Sequence, residues 1–152
     1  MLDTNMIDVL LDEPALLSRL QVFAHENRIG LLMTHLQVDE INEIGEAKRA
    51  RKDRLIEVLN QLEIDLVSTY GFVLGRSRLD NAIPASERHS EIFRAMTKGN
   101  ARHNEDAIIV LTAAWLYADI VSKDITDVPR MASMVGVRHF SPQAFANFLE
   151  SA

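Results

Sequence analysis

The chain has 152 residues, of which 47% are hydrophobic and 25% are charged, a composition that fits one globular domain with an apolar core. It contains no cysteine, which excludes disulfide scaffolds, thiolate metal sites and thiol nucleophiles. A formal net charge of −6 argues, when averaged over the whole surface, against a strong nucleic-acid binder. We predict a single domain over residues 1–152. The absence of a long apolar run and of a basic, then apolar N-terminus predicts a cytoplasmic protein with no membrane partner.

Apolar residues recur at helical spacing in several segments of the chain. Pro14 marks the start of one predicted helix, and Ser141 followed by Pro142 opens the last one, because serine caps helices and proline suits their first position. The clearest stripe of apolar residues begins at Asn104, which is the predicted cap of its helix. The predicted helices cover residues 6–11, 15–26, 36–44, 50–62, 86–96 and 104–117, with the last one following Ser141.

Short apolar runs between these helices predict strands at residues 29–33, 64–68, 120–122 and 137–140. Residues 70–85, which include Gly71, Gly75 and Pro84, fit neither pattern. Strands that alternate with helices predict an α/β fold, a three-layer sandwich in which helices flank a central, mostly parallel sheet of four to five short strands. Such sheets bind their ligands beyond the carboxyl ends of the strands.

Acidic residues follow the predicted strands in four separate segments. Asp3 follows the first two residues, Glu40 lies about one helical turn beyond the strand that ends near residue 34, and Asp106 is in the first turn of its helix. Asp124 follows the strand at 120–122, with Asp127 three residues later. Gathered carboxylates repel each other unless a cation neutralises them. An all-oxygen cluster suits Mg²⁺ or Mn²⁺, which can activate water and stabilise charge on a phosphate.

Each acid also has an ordinary structural explanation. Asp106 complements the dipole of its helix, Asp3 can cap a helix, and Asp124 and Asp127 suit turns. Glu40 has acidic neighbours and fits a solvated helix face. Only the joint placement of the acids favours a metal site.

In this order the acidic segments resemble the motifs of the PIN-domain nucleases, which include the toxins of bacterial VapBC toxin–antitoxin modules. The matching segments are Leu2-Asp3-Thr4-Asn5, a glutamate in a helix after a strand end (Thr34 to Glu40), an aspartate opening an alanine-rich helix (Asp106 to Ala114), and Val121-Ser122-Lys123-Asp124. Only two residues precede the first aspartate, and the region between the second and third acids is longer than in compact toxins.

The resemblance implies a single PIN-like domain in which Asp3, Glu40, Asp106 and Asp124 are catalytic and ligate Mg²⁺ or Mn²⁺, with Asp127 as an auxiliary ligand. It also implies that two polar neighbours, Asn5 and Ser122, orient ligands or water. The activity that it implies is a metal-dependent endonuclease acting on RNA, or in second place on DNA. Two alternatives remain: a toxin held inactive by a small antitoxin protein, and a non-catalytic nucleic-acid-binding module. Self-association as a homodimer through an apolar helix face is a further expectation.

Basic residues are segregated from these acids along the chain. Eleven of the 16 Lys and Arg lie between residues 48 and 102, and five of them fall within residues 48–54. We predict that phosphate groups bind to this cluster, at Lys48, Arg49, Arg51 and Lys52. The alternative is a solvated helix face whose charges pair with nearby acids.

Aromatic residues late in the chain have two possible roles. Trp115, Tyr117 and Phe140 are most simply core side chains. If exposed, they would be able to stack on bases.

Overall fold

The computed structural model describes residues 1–71, 82–83 and 86–152 as helices joined to short parallel strands, which confirms the α/β class. The helices of these ranges are α1 Thr4–Asp12, α2 Pro14–His25, α3 His35–Asn42, α4 Arg49–Gln61, α5 Glu87–Thr97, α6 Asn104–Trp115, α7 Asp127–Val135 and α8 Pro142–Ser151. The strands are β1 Leu31–Thr34, β2 Ile64–Val67, β3 Thr69–Tyr70, β4 Ala82–Ile83, β5 Ile120–Val121 and β6 His139–Phe140. Short 3₁₀ turns at Glu46–Lys48 and Ala101–His103 lead into α4 and α6. Most of the ambiguous segment 70–85 lies outside the described residues.

The predicted starts of α2 and α8 are confirmed, but the predicted cap of α6 is wrong. Pro14 occupies the first turn of α2, and the Ser141 hydroxyl accepts a hydrogen bond from the backbone N–H of Ala144 at 3.2 Å. Asn104 lies inside α6 because the 3₁₀ turn runs directly into the helix. Its neighbour Asn100 caps that turn instead, accepting a hydrogen bond from the backbone N–H of Arg102 at 3.1 Å.

Helix α7 is absent from the prediction, which treated Asp127 as a turn residue or an auxiliary acid. Pro129 lies in its first turn, where a helix does not need the N–H that proline lacks. Gly136 ends it in the left-handed conformation, with φ of 72°, a conformation in which glycine has no steric penalty.

The strands of the described residues pair as three two-stranded parallel sheets, β1 with β2, β3 with β4, and β5 with β6. The predicted central sheet of four to five strands is therefore not confirmed. The extended residues 1–3 lie between two of these pairs. Leu2 donates its N–H to Leu32 of β1, and Asp3 donates its N–H to Val121 of β5, both at 2.9 Å. Residues 1–3 thus connect β1 to β5 by backbone hydrogen bonds.

Successive residues of the strands contribute to two different apolar clusters. Leu31 and Met33 pack in a cluster with residues from α1, α2, α4 and α8, whereas Leu32 between them packs against a cluster built mainly from α6 and α7. Val121 and Ile120 divide between the same two clusters. Because side chains alternate across a strand, helices must cover both faces of these strands. No helix in the described part of the chain is long and apolar enough to span a bilayer.

The three late aromatic residues differ in burial. Phe140 packs partly buried against the first cluster, as predicted. Trp115 is 43% exposed and Tyr117 is 99% exposed, so the prediction that they belong to the core is wrong. Trp115 is the last residue of α6 and Tyr117 follows it by two residues, beyond the part of the helix that the core covers.

Candidate functional site

The carboxylate of Asp3 is buried at the start of α1 and is held by three donors. Its Oδ1 accepts the backbone N–H of Thr4 at 2.8 Å, so Asp3 is the N-cap of α1. Its Oδ2 accepts from the Asn5 side-chain amide and from the Ser122 hydroxyl, each at 2.6 Å. The structural and functional interpretations of Asp3 are therefore compatible, since one oxygen caps the helix and the other faces polar side chains.

Asn5 and Ser122 tie the first helix to the loop after β5. The Asn5 amide nitrogen lies 3.2 Å from the Ser122 hydroxyl, and the Asn5 carbonyl accepts the backbone N–H of Lys123 at 2.7 Å. Ser122 is fully buried and also accepts the backbone N–H of Asp124 at 3.0 Å. This network fixes the position of Asp3 relative to the Asp124 loop.

Asp124 caps α7 with one of its carboxylate oxygens. Its Oδ1 accepts backbone N–H groups from Thr126 at 2.7 Å, Asp127 at 2.8 Å and Val128 at 3.3 Å. Burial raises the pKa of the Asp124 carboxyl, but these backbone donors outweigh that effect and leave the pKa below its ordinary value. Within the described residues, no hydrogen bond reaches the second oxygen, Oδ2.

Asp106, in the first turn of α6, senses the charge of all four other candidate acids. Its pKa is raised from 3.8 to about 7, mainly because burial penalises the charged carboxylate. The negative charges of Asp3, Asp124, Glu40 and Asp127 raise it further, in that order. Five carboxylates from four chain segments therefore share one electrostatic environment.

The pKa of Asp3 is also raised. Burial is again the main cause, the hydrogen bonds from Ser122, Thr4 and Asn5 oppose it, and the charge of Asp124 adds to it. Two neighbouring carboxyls are thus easier to protonate than usual in the metal-free protein. A divalent cation bound between them would favour the charged forms.

Glu40 and Asp127 lie at the edge of this group. Glu40 is exposed on α3. Asp127 accepts a hydrogen bond from Arg130 at 3.1 Å and lies 3.8 Å from the Nδ1 of His103. Arg130, which the sequence analysis missed, also donates to the backbone carbonyl of Met96 at 3.0 Å. The spacing of three residues between Asp127 and Arg130 would have indicated this pair only if α7 had been recognised.

The acids are of the right chemical type for a hard cation but do not enclose a finished binding site. Among the described residues, no three His, Asp or Glu side chains converge closely enough to hold a metal ion. Asp3, Asp106 and Asp124 are the acids that could hold a cation together, since the charges of Asp3 and Asp124 act most strongly on Asp106, and carboxylate oxygens are donors that suit Mg²⁺ or Mn²⁺.

Most of the predicted phosphate-binding residues have partners within the protein. Arg51 forms an ion pair with Asp8 at 2.6 Å, and Lys52 donates to the backbone carbonyl of Asn42 at 2.6 Å. Arg49 lies 3.5 Å from Glu46. Lys48 has no ion pair with any described residue. The role of these four residues in nucleic-acid binding stays a prediction, and three of them would have to exchange an internal contact for a phosphate.

Comparison of the chain with known proteins gives no relative from which to take a function. No family model, curated protein or solved structure matches it. The side chains of the site are therefore the whole basis for assigning a function.

Proposed function

We propose that this chain is a metal-dependent endonuclease of the PIN type, which hydrolyses phosphodiester bonds in RNA. The observation that supports it most is the surroundings of Asp106: its pKa is raised mainly by burial, and four further carboxylates from three other chain segments raise it further. A protein gains nothing in stability from gathering like charges around a buried acid. Binding of a divalent cation is the simplest chemical reason for the arrangement.

The fold that we propose for this activity is a single parallel layer in a three-layer sandwich. Its order is β2, β1, residues 1–3, β5 and β6, joined by the backbone hydrogen bonds of Leu2 and Asp3. Asp3 and Asp124 would then follow the carboxyl ends of neighbouring strands. Ligands of parallel sheets bind at that edge.

Asp3, Asp106 and Asp124 would hold the cation, with Glu40 and Asp127 at the rim. A bound Mg²⁺ or Mn²⁺ supplies positive charge that offsets the charge developing on the phosphate and promotes deprotonation of the attacking water. A nearby positive charge lowers the pKa of a carboxyl, so a bound cation would favour the ionised form of Asp106. Its side chain and that of Glu40 must move closer to Asp3 for this to occur.

The remaining residues prepare the site. Ser122 and Asn5 donate hydrogen bonds that hold Asp3 in one orientation, and the backbone donors of α7 keep Asp124 ionised. Glu40 is exposed to solvent and is the acid that we assign to accept the proton of the attacking water. Preorganised groups of this kind contribute to catalysis because they do not reorganise during the reaction.

A non-catalytic nucleic-acid-binding module is the second candidate. The observation that favours it is the separation of the acids, among which no three described residues form a metal-holding group. The two candidates make opposite predictions about metal-dependent cleavage.

Cleavage of single-stranded RNA by the purified protein distinguishes them. We expect cleavage in Mg²⁺ or Mn²⁺, none in EDTA, and a loss of at least about 100-fold in Asp106→Asn and Asp3→Asn, since each substitution removes a charged ligand. Asp53→Asn, on the exposed face of α4, is the control and should cleave normally. RNA binding without any cleavage by the wild-type protein would favour the non-catalytic module. Unchanged cleavage by the two site variants would exclude the proposed site.

A further inference from the structure

Two cavities lie along α5 and α6 and share lining residues, so that together they form one groove. The first has a volume of about 330 Å³ and is lined by Phe93, Arg94 and Ile108, among others. The second has a volume of about 480 Å³ and is lined by residues that include Arg88 and Trp115. Both are also lined by the same two side chains, His89 and Leu111. Because late residues of α5 meet early residues of α6, the helices run antiparallel and the groove follows them.

The groove starts near the first turn of α6, on a different face of that helix from Asp106, because residues two apart in a helix do not face the same way. Ile108, which lines the first cavity, is two residues beyond Asp106 in α6. Trp115 is nine residues beyond Asp106, which at 1.5 Å per residue places it about 13 Å further along the helix axis. A chain bound in the groove would therefore run along α6 from Ile108 to Trp115.

The charged side chains that line the groove are cationic, although the protein as a whole carries a net charge of −6. Arg88 and Arg94 are both exposed, and neither forms an ion pair with an acid of the described residues. No Asp or Glu is among the described residues that line either cavity. The groove is thus complementary to a polyanion. This contrasts with Arg51 of α4, whose charge is already paired with Asp8.

The far end of the groove presents aromatic rings to solvent. The ring of Trp115 stacks on that of Tyr70, with centroids 5.3 Å apart and an angle of 10° between planes, yet the residue is 43% exposed. Tyr70 is in turn held edge-on by His89 at 4.8 Å. The indole is therefore fixed in place before any ligand arrives, which lowers the entropy cost of stacking on it.

Tyr117 is exposed, and its backbone is in a strained conformation. It is 99% exposed and has a φ of 53°, the left-handed conformation that a helix end normally assigns to glycine. A bulky residue in this conformation costs about 1 kcal/mol relative to glycine. Strain of this kind with no packing to compensate it points to a functional use of the side chain.

We propose that this groove, which we call the α5–α6 groove, binds single-stranded RNA. Arg94 and Arg88 contact successive phosphates, and Trp115 and Tyr117 stack on unpaired bases. The proposal rests on the proposed nuclease function for its choice of RNA. Duplexes are excluded from this mode because their bases are already stacked.

Binding in EDTA tests the groove separately from cleavage. The probe is a short fluorescein-labelled oligoadenylate, followed by fluorescence anisotropy. We expect Arg88→Ala combined with Arg94→Ala to weaken binding about 10-fold and to reduce the slope of log affinity against log salt by about 1.4, the value for two lost phosphate contacts. The matched control, Arg19→Ala with Arg138→Ala, removes two charges that lie outside both the groove and the predicted phosphate-binding cluster, and should change affinity less than 2-fold. The opposite ranking of the two double variants would overturn the proposal.

Tyr117→Gly tests the stacking role with a result that unfolding of the variant would not produce. Relief of the strained backbone should raise the unfolding midpoint, while loss of the ring should weaken oligoadenylate binding about 5-fold or more. A more stable variant with unchanged affinity would contradict the stacking role. Trp115→Phe should retain more affinity than Trp115→Ala, since a smaller ring still stacks.

Trp115 is the single tryptophan of the chain and reports on the groove directly. Its emission should be quenched by oligoadenylate with the same midpoint as the anisotropy signal, and duplex RNA should quench it far less. An anisotropy change without any change in Trp115 emission would place the RNA elsewhere and overturn the proposal. The proposal would also be overturned if Tyr117→Gly abolished self-association of the protein but left its RNA affinity unchanged.

If Asp106→Asn abolishes cleavage but the groove variants bind normally, only the groove assignment fails. If the groove variants behave as expected and no metal-dependent cleavage occurs, only the nuclease assignment fails.

Discussion

The hydroxyl of Ser122 donates a hydrogen bond of 2.6 Å to the Oδ2 of Asp3, although the two residues are 119 positions apart in the chain. The contact joins the first helix to the loop after β5, and both side chains are buried. A hydrogen bond to a charged group contributes more to stability than one between neutral groups. This contact therefore supports the fold and orients the candidate metal ligand.

Ser122→Ala should lower the free energy of unfolding by about 2 kcal/mol, because the buried carboxylate of Asp3 loses a donor. The same loss should raise the pKa of Asp3 further. Urea denaturation measures the effect. The control is Ser133→Ala, an exposed serine bonded only to the backbone carbonyl of Arg130, which should change stability by less than about 0.5 kcal/mol. Equal effects of the two substitutions would argue against the Asp3 contact.

Asp106→Asn should stabilise the metal-free protein at neutral and alkaline pH. The folded-state pKa of Asp106 is raised from 3.8 to about 7, so the folded protein binds more protons than the unfolded chain between these values. Stability from this group is therefore lost as the pH rises from about 4 to 7. We expect the variant to match the wild type near pH 4 and to exceed it by about 1–2 kcal/mol at pH 8, allowing for partial exposure.

Denaturation in EDTA across this pH range measures the Asp106 effect. Asp53→Asn on α4 is the exposed control and should show a constant difference from the wild type. A constant difference for Asp106→Asn as well would mean that its carboxyl does not sense the other acids.

Mn²⁺ should raise the thermal unfolding midpoint of the wild-type protein. At a free concentration one hundred times the dissociation constant, binding stabilises the folded state by about 2.7 kcal/mol. For a domain of this size that corresponds to a shift of about 5–10 °C. Asp3→Asn and Asp106→Asn should lose most of this shift, while Glu150→Gln, on α8, should keep it. A shift retained by both site variants would place the ion elsewhere.

Two substitutions of Asp124 should separate its structural role from its charge. Asp124→Ala removes the cap of α7 and should cost about 1–2 kcal/mol of stability. Asp124→Asn keeps an oxygen that can accept the same backbone N–H groups, so its stability should change by less than about 0.5 kcal/mol. Both should lose the stabilisation by Mn²⁺. Retention of that effect in Asp124→Asn would show that Asp124 serves only as a cap.

Of the features of the fold, the helices were the ones that local signals in the sequence predicted best. Pro14 and the Ser141–Pro142 pair marked helix starts correctly because capping and proline geometry act within a few residues. Helix α7 was missed because its capping carboxylate, Asp124, precedes it by three residues and was interpreted as a turn residue or a ligand, not as the cap of a helix.

Contacts between segments that are distant in the chain could not be predicted from local sequence patterns. The acids were predicted from topology alone to share one edge of the sheet, and that placement stays a prediction. The charges of the other four acids contribute to the raised pKa of Asp106, of which burial is the main cause. The partner of Arg51 is Asp8, 43 positions away, and no spacing in the sequence indicates that pair. The exposure of Trp115 is also set by packing, because its helical stripe alone resembles a core pattern.

Diffraction from crystals soaked in Mn²⁺ tests the metal site most directly, because the anomalous signal locates the ion without assumptions about activity. We expect a peak within coordination distance of Asp3, Asp106 and Asp124, with the side chains of Asp106 and Glu40 closer to Asp3 than in the structure described above. The absence of a peak at these residues, or an ion bound by other side chains while the five acids keep their separation, would contradict this expectation.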